Sequence, residues 1–207
     1  MNERELLEGF GDEIEALMID ESRRGARLVL PFLLPTLYLI WVVLGPATDA
    51  TAVRIAFASC AAIVVLRWVV LRKLARPDAR AAAGAWRGRI LTVSAWLVSA
   101  SFAGIYVTAG SAMGSVQLLT IAIVATAVCA LAILSAASSL LTYGGYVAIH
   151  LLALALVIER NGEPQLALVP AMVVFFIVAL TLIAHQNNTS VREKIQLSLK
   201  EEGLRSP

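Results

Sequence analysis

Histidine is the side chain best suited to proton transfer or metal ligation near neutral pH, and this chain has two, His150 and His185. Tyr143, Tyr146 and His150 follow one another at i, i+3 and i+7, so on a helix the three side chains share a face. They lie within an apolar run, and polar groups at membrane depth turn inward because lipid offers them no partner. Two readings of this face stay open: a cavity that binds a small amphipathic molecule, or hydrogen bonding between helices. Gly144, Gly145 and Ala148 would let a neighbouring helix come close beside them. A haem held by both histidines is disfavoured. His150 should sit about ten residues, or ~15 Å, into its helix, whereas His185 ends the last apolar run, and the two cannot ligate one iron from such different depths. Zinc-protease, P-loop, dinucleotide and serine-nucleophile motifs are absent from the sequence, so neither catalysis nor a cofactor or metal is expected. Cys60 and Cys129 sit in apolar runs without metal-type spacing and read as small core residues.

A second pattern lies near the C-terminus. Ala184, Asn188, Val191, Ile195 and Leu199 are separated by four, three, four and four residues, a heptad-like seam with an irregular last step. It predicts a short parallel coiled coil in a homodimer, with Asn188 favouring two strands in register. A solvated helix end is the alternative. Apolar residues from Leu166 to Ala184 lead into this seam, and no Pro or Gly follows until Gly203. One helix is therefore expected to run from lipid into water.

The elements that would position these residues follow from composition. The chain is 59% hydrophobic and 15% charged, with a mean hydropathy of +0.79, against about 45–50% apolar and about 25% charged in globular proteins. This is the composition of an integral membrane protein. Apolar runs at Leu28–Leu44, Val53–Leu71, Ile90–Val107, Val116–Leu134, Leu140–Ile158 and Leu166–Ala184 are each long enough for a hydrocarbon core of about 30 Å. The small residues around Ser135 divide a stretch too long for one crossing. Pro31 and Pro35 predict a kinked or late-starting first helix. The basic residues Arg23, Arg24 and Arg27, then Arg72, Lys73, Arg76, Arg80, Arg87 and Arg89, then Arg192 and Lys194 fall on one side of six alternating spans, which marks that side as cytoplasmic.

The expected fold is thus all-α: a polytopic six-helix transmembrane bundle with both termini cytoplasmic. Residues 1–27 form a cytoplasmic amphipathic N-terminal helix, 28–184 the transmembrane domain, and 185–207 a signalling helix. Leu6, Phe10, Ile14 and Leu17 make the apolar face of the first segment; its acidic opposite face is wrong for anionic lipid and suits docking on the basic loop or the exit helix, with a frayed, solvated terminus the alternative because Gly9 and Gly11 weaken the helix. Arg67, inside the second span, either snorkels toward the basic loop or is a buried functional cation. Trp41, Asp49, Arg54, Tyr106, Gln117 and Glu159 share an outer depth at which a site could be built, and most of them read as ordinary interfacial residues. No internal repeat is visible, against an inverted-repeat transporter.

The order of parts resembles a known type. The basic approach ESRRGARLVLPFLLPTLYLIWVVL, the hairpin-like fourth and fifth spans, and the exit NNTSVREKIQLSLKEEGL are similar to the six-helix N-terminal membrane sensor regions of bacterial diguanylate cyclases (GGDEF proteins) and some sensor histidine kinases. The resemblance covers nearly the whole chain and lies in its layout. It implies a bacterial inner-membrane location, a homodimer in the lipid bilayer, a small amphipathic ligand or membrane state as signal, and regulation of cyclic di-GMP synthesis or of a kinase. No GGDEF signature or phosphoacceptor-histidine region occurs within the 207 residues, so the resemblance puts the output enzyme outside them. Nucleic acid is not an expected partner. The competing readings are a small transporter or channel, which calls for paired charges or broken helices at the midplane where only His150 stands, and a membrane scaffold or assembly protein.

Overall fold

The computed structural model describes residues 11–45, 50–74, 84–133, 139–162 and 168–205. Among them there is no strand. The helices are α1 (Gly11–Leu44), α2 (Thr51–Lys73), α3 (Gly84–Ala109, continued by a 3-10 turn at Gly110–Ala112), α4 (Ser115–Ala132), α5 (Leu140–Asn161) and α6 (Val169–Arg205). All six are long and apolar enough to cross a membrane. Their outward faces are apolar too, with Phe32, Tyr38, Ile55, Leu66, Val116 and Phe175 all exposed. Water would not tolerate so continuous an apolar surface, whereas lipid solvates it. The chain is a multi-pass membrane protein.

Local chemistry sets several helix boundaries. The Ser139 hydroxyl accepts the Thr142 amide at 3.2 Å to open α5, and Gly162, at φ +65°, closes it; a side chain there would be strained. Gln117 opens α4 by accepting the Gly114 amide at 2.9 Å. Its Nε2 also donates to the carbonyls of Val43 and Leu44, at 3.1 and 3.2 Å, satisfying acceptors that the end of α1 leaves unpaired.

The sequence divides α4 from α5 as expected. α1 differs: the late start at the prolines does not occur, and one helix runs from Gly11 through Pro31 and Pro35 to Leu44. Both prolines are exposed and four residues apart, so the missing amides weaken a single side of the helix. With 34 residues α1 is ~51 Å long and α6, with 37, is ~55 Å. Both outreach a hydrocarbon core of about 30 Å.

Contacts between helix ends fix their directions. Ile14 and Met18 near the start of α1 pack against Leu199 near the end of α6. Arg87, early in α3, stands 4.0 Å from Asp20 of α1 and donates to the Leu74 carbonyl just after α2. At the opposite end Gln117 joins α4 to α1, and Asn161 of α5 donates to the Gly110 carbonyl at 3.0 Å. The helices therefore alternate in direction, and Arg23, Arg24 and Arg27 of α1, Arg67, Arg72 and Lys73 of α2, Arg87 and Arg89 of α3, and Arg192 and Lys194 of α6 gather at one end of the bundle, with Arg54 at the other. Arg76, Arg80, Leu6, Phe10 and Asp49 lie outside the described residues.

Candidate functional site

α3 and α5 run parallel through the centre and make the most extensive helix pair. Little hydrophobic force holds two helices together within lipid, so close packing and hydrogen bonds must do so. Polar contacts recur along this pair. The Thr92 and Thr142 hydroxyls are 2.6 Å apart, Trp96 Nε1 donates to the Thr142 carbonyl at 3.2 Å, and Ser99 Oγ donates to the Tyr146 carbonyl at 2.6 Å. Further along, the Tyr106 hydroxyl meets His150 Nε2 at 2.8 Å, with the imidazole tautomer deciding which group donates. Close approach is essential to this series. A Cβ on Gly145 would run into the Trp96 indole, while Gly144 faces open space.

Tyr143, Tyr146 and His150 do share the bundle-facing side of α5, and all three are buried. His150 is wholly enclosed, stacked on Tyr146 with ring centroids 5.8 Å apart and flanked by Phe102 at 5.3 Å. Its Nδ1 has no hydrogen-bond partner. Tyr143 turns elsewhere and donates to the Cys129 carbonyl of α4 at 3.0 Å. Tyr143 and Tyr146 border a cleft of about 20 Å³, also lined by Arg67, Thr142 and Leu30. That is room for one water. An amphipathic molecule would need the helices to part.

Arg67 also departs from the simplest expectation. It does not snorkel free of the bundle: only 8% of it is exposed, and its Nε has no hydrogen-bond partner. Among the described residues no ion pair engages it. The guanidinium of Arg72, one turn further on, instead lies 3.6 Å over the Trp68 ring, an arrangement that suits the headgroup zone.

No family model, curated protein or solved structure matches this chain. The site is therefore defined by its own geometry. Among the described residues no group of three or more His, Cys, Asp or Glu side chains could hold a metal, and His185 is exposed at the end of the apolar part of α6. Cys60 and Cys129 are both free and buried.

Three of the outer-depth residues, Tyr106, Trp41 and Gln117, serve separate contacts. Tyr106, expected at an interface, is fully buried against His150. Trp41 packs edge-on against Phe57 with centroids 4.8 Å apart, and Gln117 serves the α1–α4 junction. Sequence reasoning missed Thr92, Trp96 and Ser99, although their spacing, with Tyr106, is four, three and seven residues, a helical face.

The seam of α6 is present but divided. Ala184 is buried in the main membrane core, and Asn188 is half-buried. Leu199, Ile195 and Val191 belong to a separate cluster with Ile14 and Met18 of α1. Within this chain, the apolar face of the exit helix is thus covered by the N-terminal part of α1. Ile14 and Met18 carry that contact; Leu17, expected on the apolar face, is 40% exposed.

Proposed function

We propose that this chain is a membrane sensor and signal-transduction module whose output leaves the membrane along α6. The observation that carries this reading is the unbroken helix from Val169 to Arg205, whose apolar stripe lies on α1 at the basic end of the bundle. α1 also meets α3 through Asp20 and Arg87, so a shift in the bundle has a short path to the exit helix. Two partners compete for the same stripe, α1 of the same chain and the α6 stripe of a second copy. A signal that binds the two arrangements with different affinity changes the balance between them, and one that binds both equally changes nothing. Layout similar to diguanylate cyclase sensor regions makes a cyclic di-GMP-producing enzyme the favoured output, with a histidine kinase second, on the cytosolic side of a bacterial inner membrane.

The test is disulfide crosslinking in membranes with Val191→Cys, in a background where Cys60 and Cys129 are replaced by alanine. The reading requires a symmetrical Val191–Val191 crosslink that increases when Met18→Asp dislodges α1. A chain that stays monomeric, or a crosslink indifferent to Met18→Asp, overturns it.

A further inference from the structure

The small cleft inside the bundle has apolar walls from Leu30 and Leu33 of α1 and Ala132 of α4, and receives polar side chains from α2 and α5: Arg67, Tyr143 and Tyr146. We propose that it binds a single chloride ion, held by the terminal nitrogens of Arg67 and the hydroxyl of Tyr146.

Two donors at this cleft have nothing to donate to. Arg67 is more than nine-tenths buried, and among the described residues it forms no hydrogen bond or ion pair. Of its three nitrogens only Nε is both sealed off and unbonded; the two terminal nitrogens are also unbonded but keep open surface. The groove on the other side of Arg67, between α2 and α3, is almost wholly apolar, so that polar surface belongs chiefly to the cleft. The guanidinium and the Tyr146 phenol are electrostatic neighbours. The side-chain hydrogen bond at Tyr146 reaches its backbone carbonyl, and among the described residues nothing accepts from its hydroxyl. Tyr143, by contrast, donates its hydrogen to the Cys129 carbonyl. A space bordered by a cation and a free hydroxyl hydrogen, with no carboxylate among its lining residues, is complementary to an anion.

Size decides which anion. About 20 Å³ holds one water, and a chloride ion is only slightly larger, whereas phosphate, sulfate and carboxylates carry several heavy atoms. Water alone would satisfy hydrogen bonds and leave a buried charge uncompensated, which is costly at membrane depth. Supply comes from the basic end of the bundle. Arg67 precedes the end of α2 by six residues, ~9 Å, and the field of Arg72, Lys73, Arg87 and Arg89 concentrates anions at that end. This site stands independently of the signalling reading, because binding is measured without any output.

Chloride NMR line widths, recorded on the whole chain in phosphatidylcholine nanodiscs with gluconate as the background anion, test the proposal. The parent should show a saturable excess width that bromide displaces and sulfate, too large for the cleft, does not. Arg67→Met should abolish it. Tyr146→Phe keeps the ring stacked on His150 and removes only the hydroxyl; loss of one hydrogen bond to an ion should weaken chloride binding by about tenfold or more. Because this variant preserves the packing, it carries the test even where Arg67→Met fails to fold. Lys73→Gln, at the same end but away from the cleft, should change nothing. Absence of a saturable width overturns the proposal, and so does an unchanged affinity in Tyr146→Phe. A width that survives Arg67→Met, that sulfate displaces as well as bromide, or that Lys73→Gln lowers as much as Tyr146→Phe also overturns it, because each would place the ions on the basic surface.

Discussion

The Tyr106–His150 pair gives the sharpest test of how the centre of the bundle is held. Tyr106→Phe keeps the ring and removes the hydroxyl that lies 2.8 Å from His150 Nε2. Because Nδ1 is already without a partner, the imidazole would then be buried with neither nitrogen bonded. An orphaned buried group costs about 1–3 kcal/mol, and coupling across transmembrane helices averages about 0.6 kcal/mol with a maximum near 1.7, so about 1 kcal/mol is expected. His150→Leu should cost more. It strands the Tyr106 hydroxyl and removes ring contacts to Phe102 and Tyr146, each worth about 0.5–1.5 kcal/mol, for a total of about 2–3 kcal/mol. The double variant strands nothing. Its cost should fall short of the sum of the two by about 1 kcal/mol, measured by unfolding in mixed micelles on titration with SDS. Additive costs, or a Tyr106→Phe variant more stable than the parent, would refute the idea that this hydrogen bond joins α3 to α5.

Gly145→Ala should destabilise by about 1–3 kcal/mol, because the new methyl must displace the Trp96 indole from its bond to Thr142. Gly144→Ala, facing open space, should be neutral or stabilise by up to about 1 kcal/mol through helix propensity; the same SDS titration compares the two. Arg87→Met removes the bond to the Leu74 carbonyl and the contact with Asp20, and should speed proteolysis between α2 and α3 without lowering the amount of folded bundle. Met18→Asp places a charge among Ile14, Ile195 and Leu199, and should raise hydrogen exchange across residues 191–199 while leaving α3 and α5 protected.

Membrane class, six helices and the approximate span limits were legible because a hydrocarbon core demands long apolar runs, and this chain's runs are cleanly separated. The inward face of α5 was legible for the same reason: lipid offers Tyr143, Tyr146 and His150 no partner, so their spacing alone put them inside. The partners were not legible. Nothing in a single helix's periodicity says that Tyr106 rather than another tyrosine meets His150, since that depends on the parallel register of α3 and α5. Of the two outcomes that Pro31 and Pro35 left open, a kink or a late start, the late start is excluded, because proline rings are tolerated on an exposed side of α1 once neighbouring helices hold the rest. Arg67 shows a similar limit. Its stem is long enough to snorkel, and only packing between α2 and its neighbours decides that it stays buried. The seam from Ala184 to Leu199 was visible as a stripe, yet a stripe does not name its partner, and Ile14 and Met18 of the same chain fit it.

The central claim is that α6 transmits by exchanging α1 for a second copy of itself. Spin labels at Leu197, which is exposed at 61% and lies within the outer part of α6, would test it directly by pulsed dipolar spectroscopy on the whole chain in lipid nanodiscs. The account predicts a defined intermolecular distance in the parent, with its amplitude increased by Met18→Asp. A signal with no intermolecular component in either protein would contradict it.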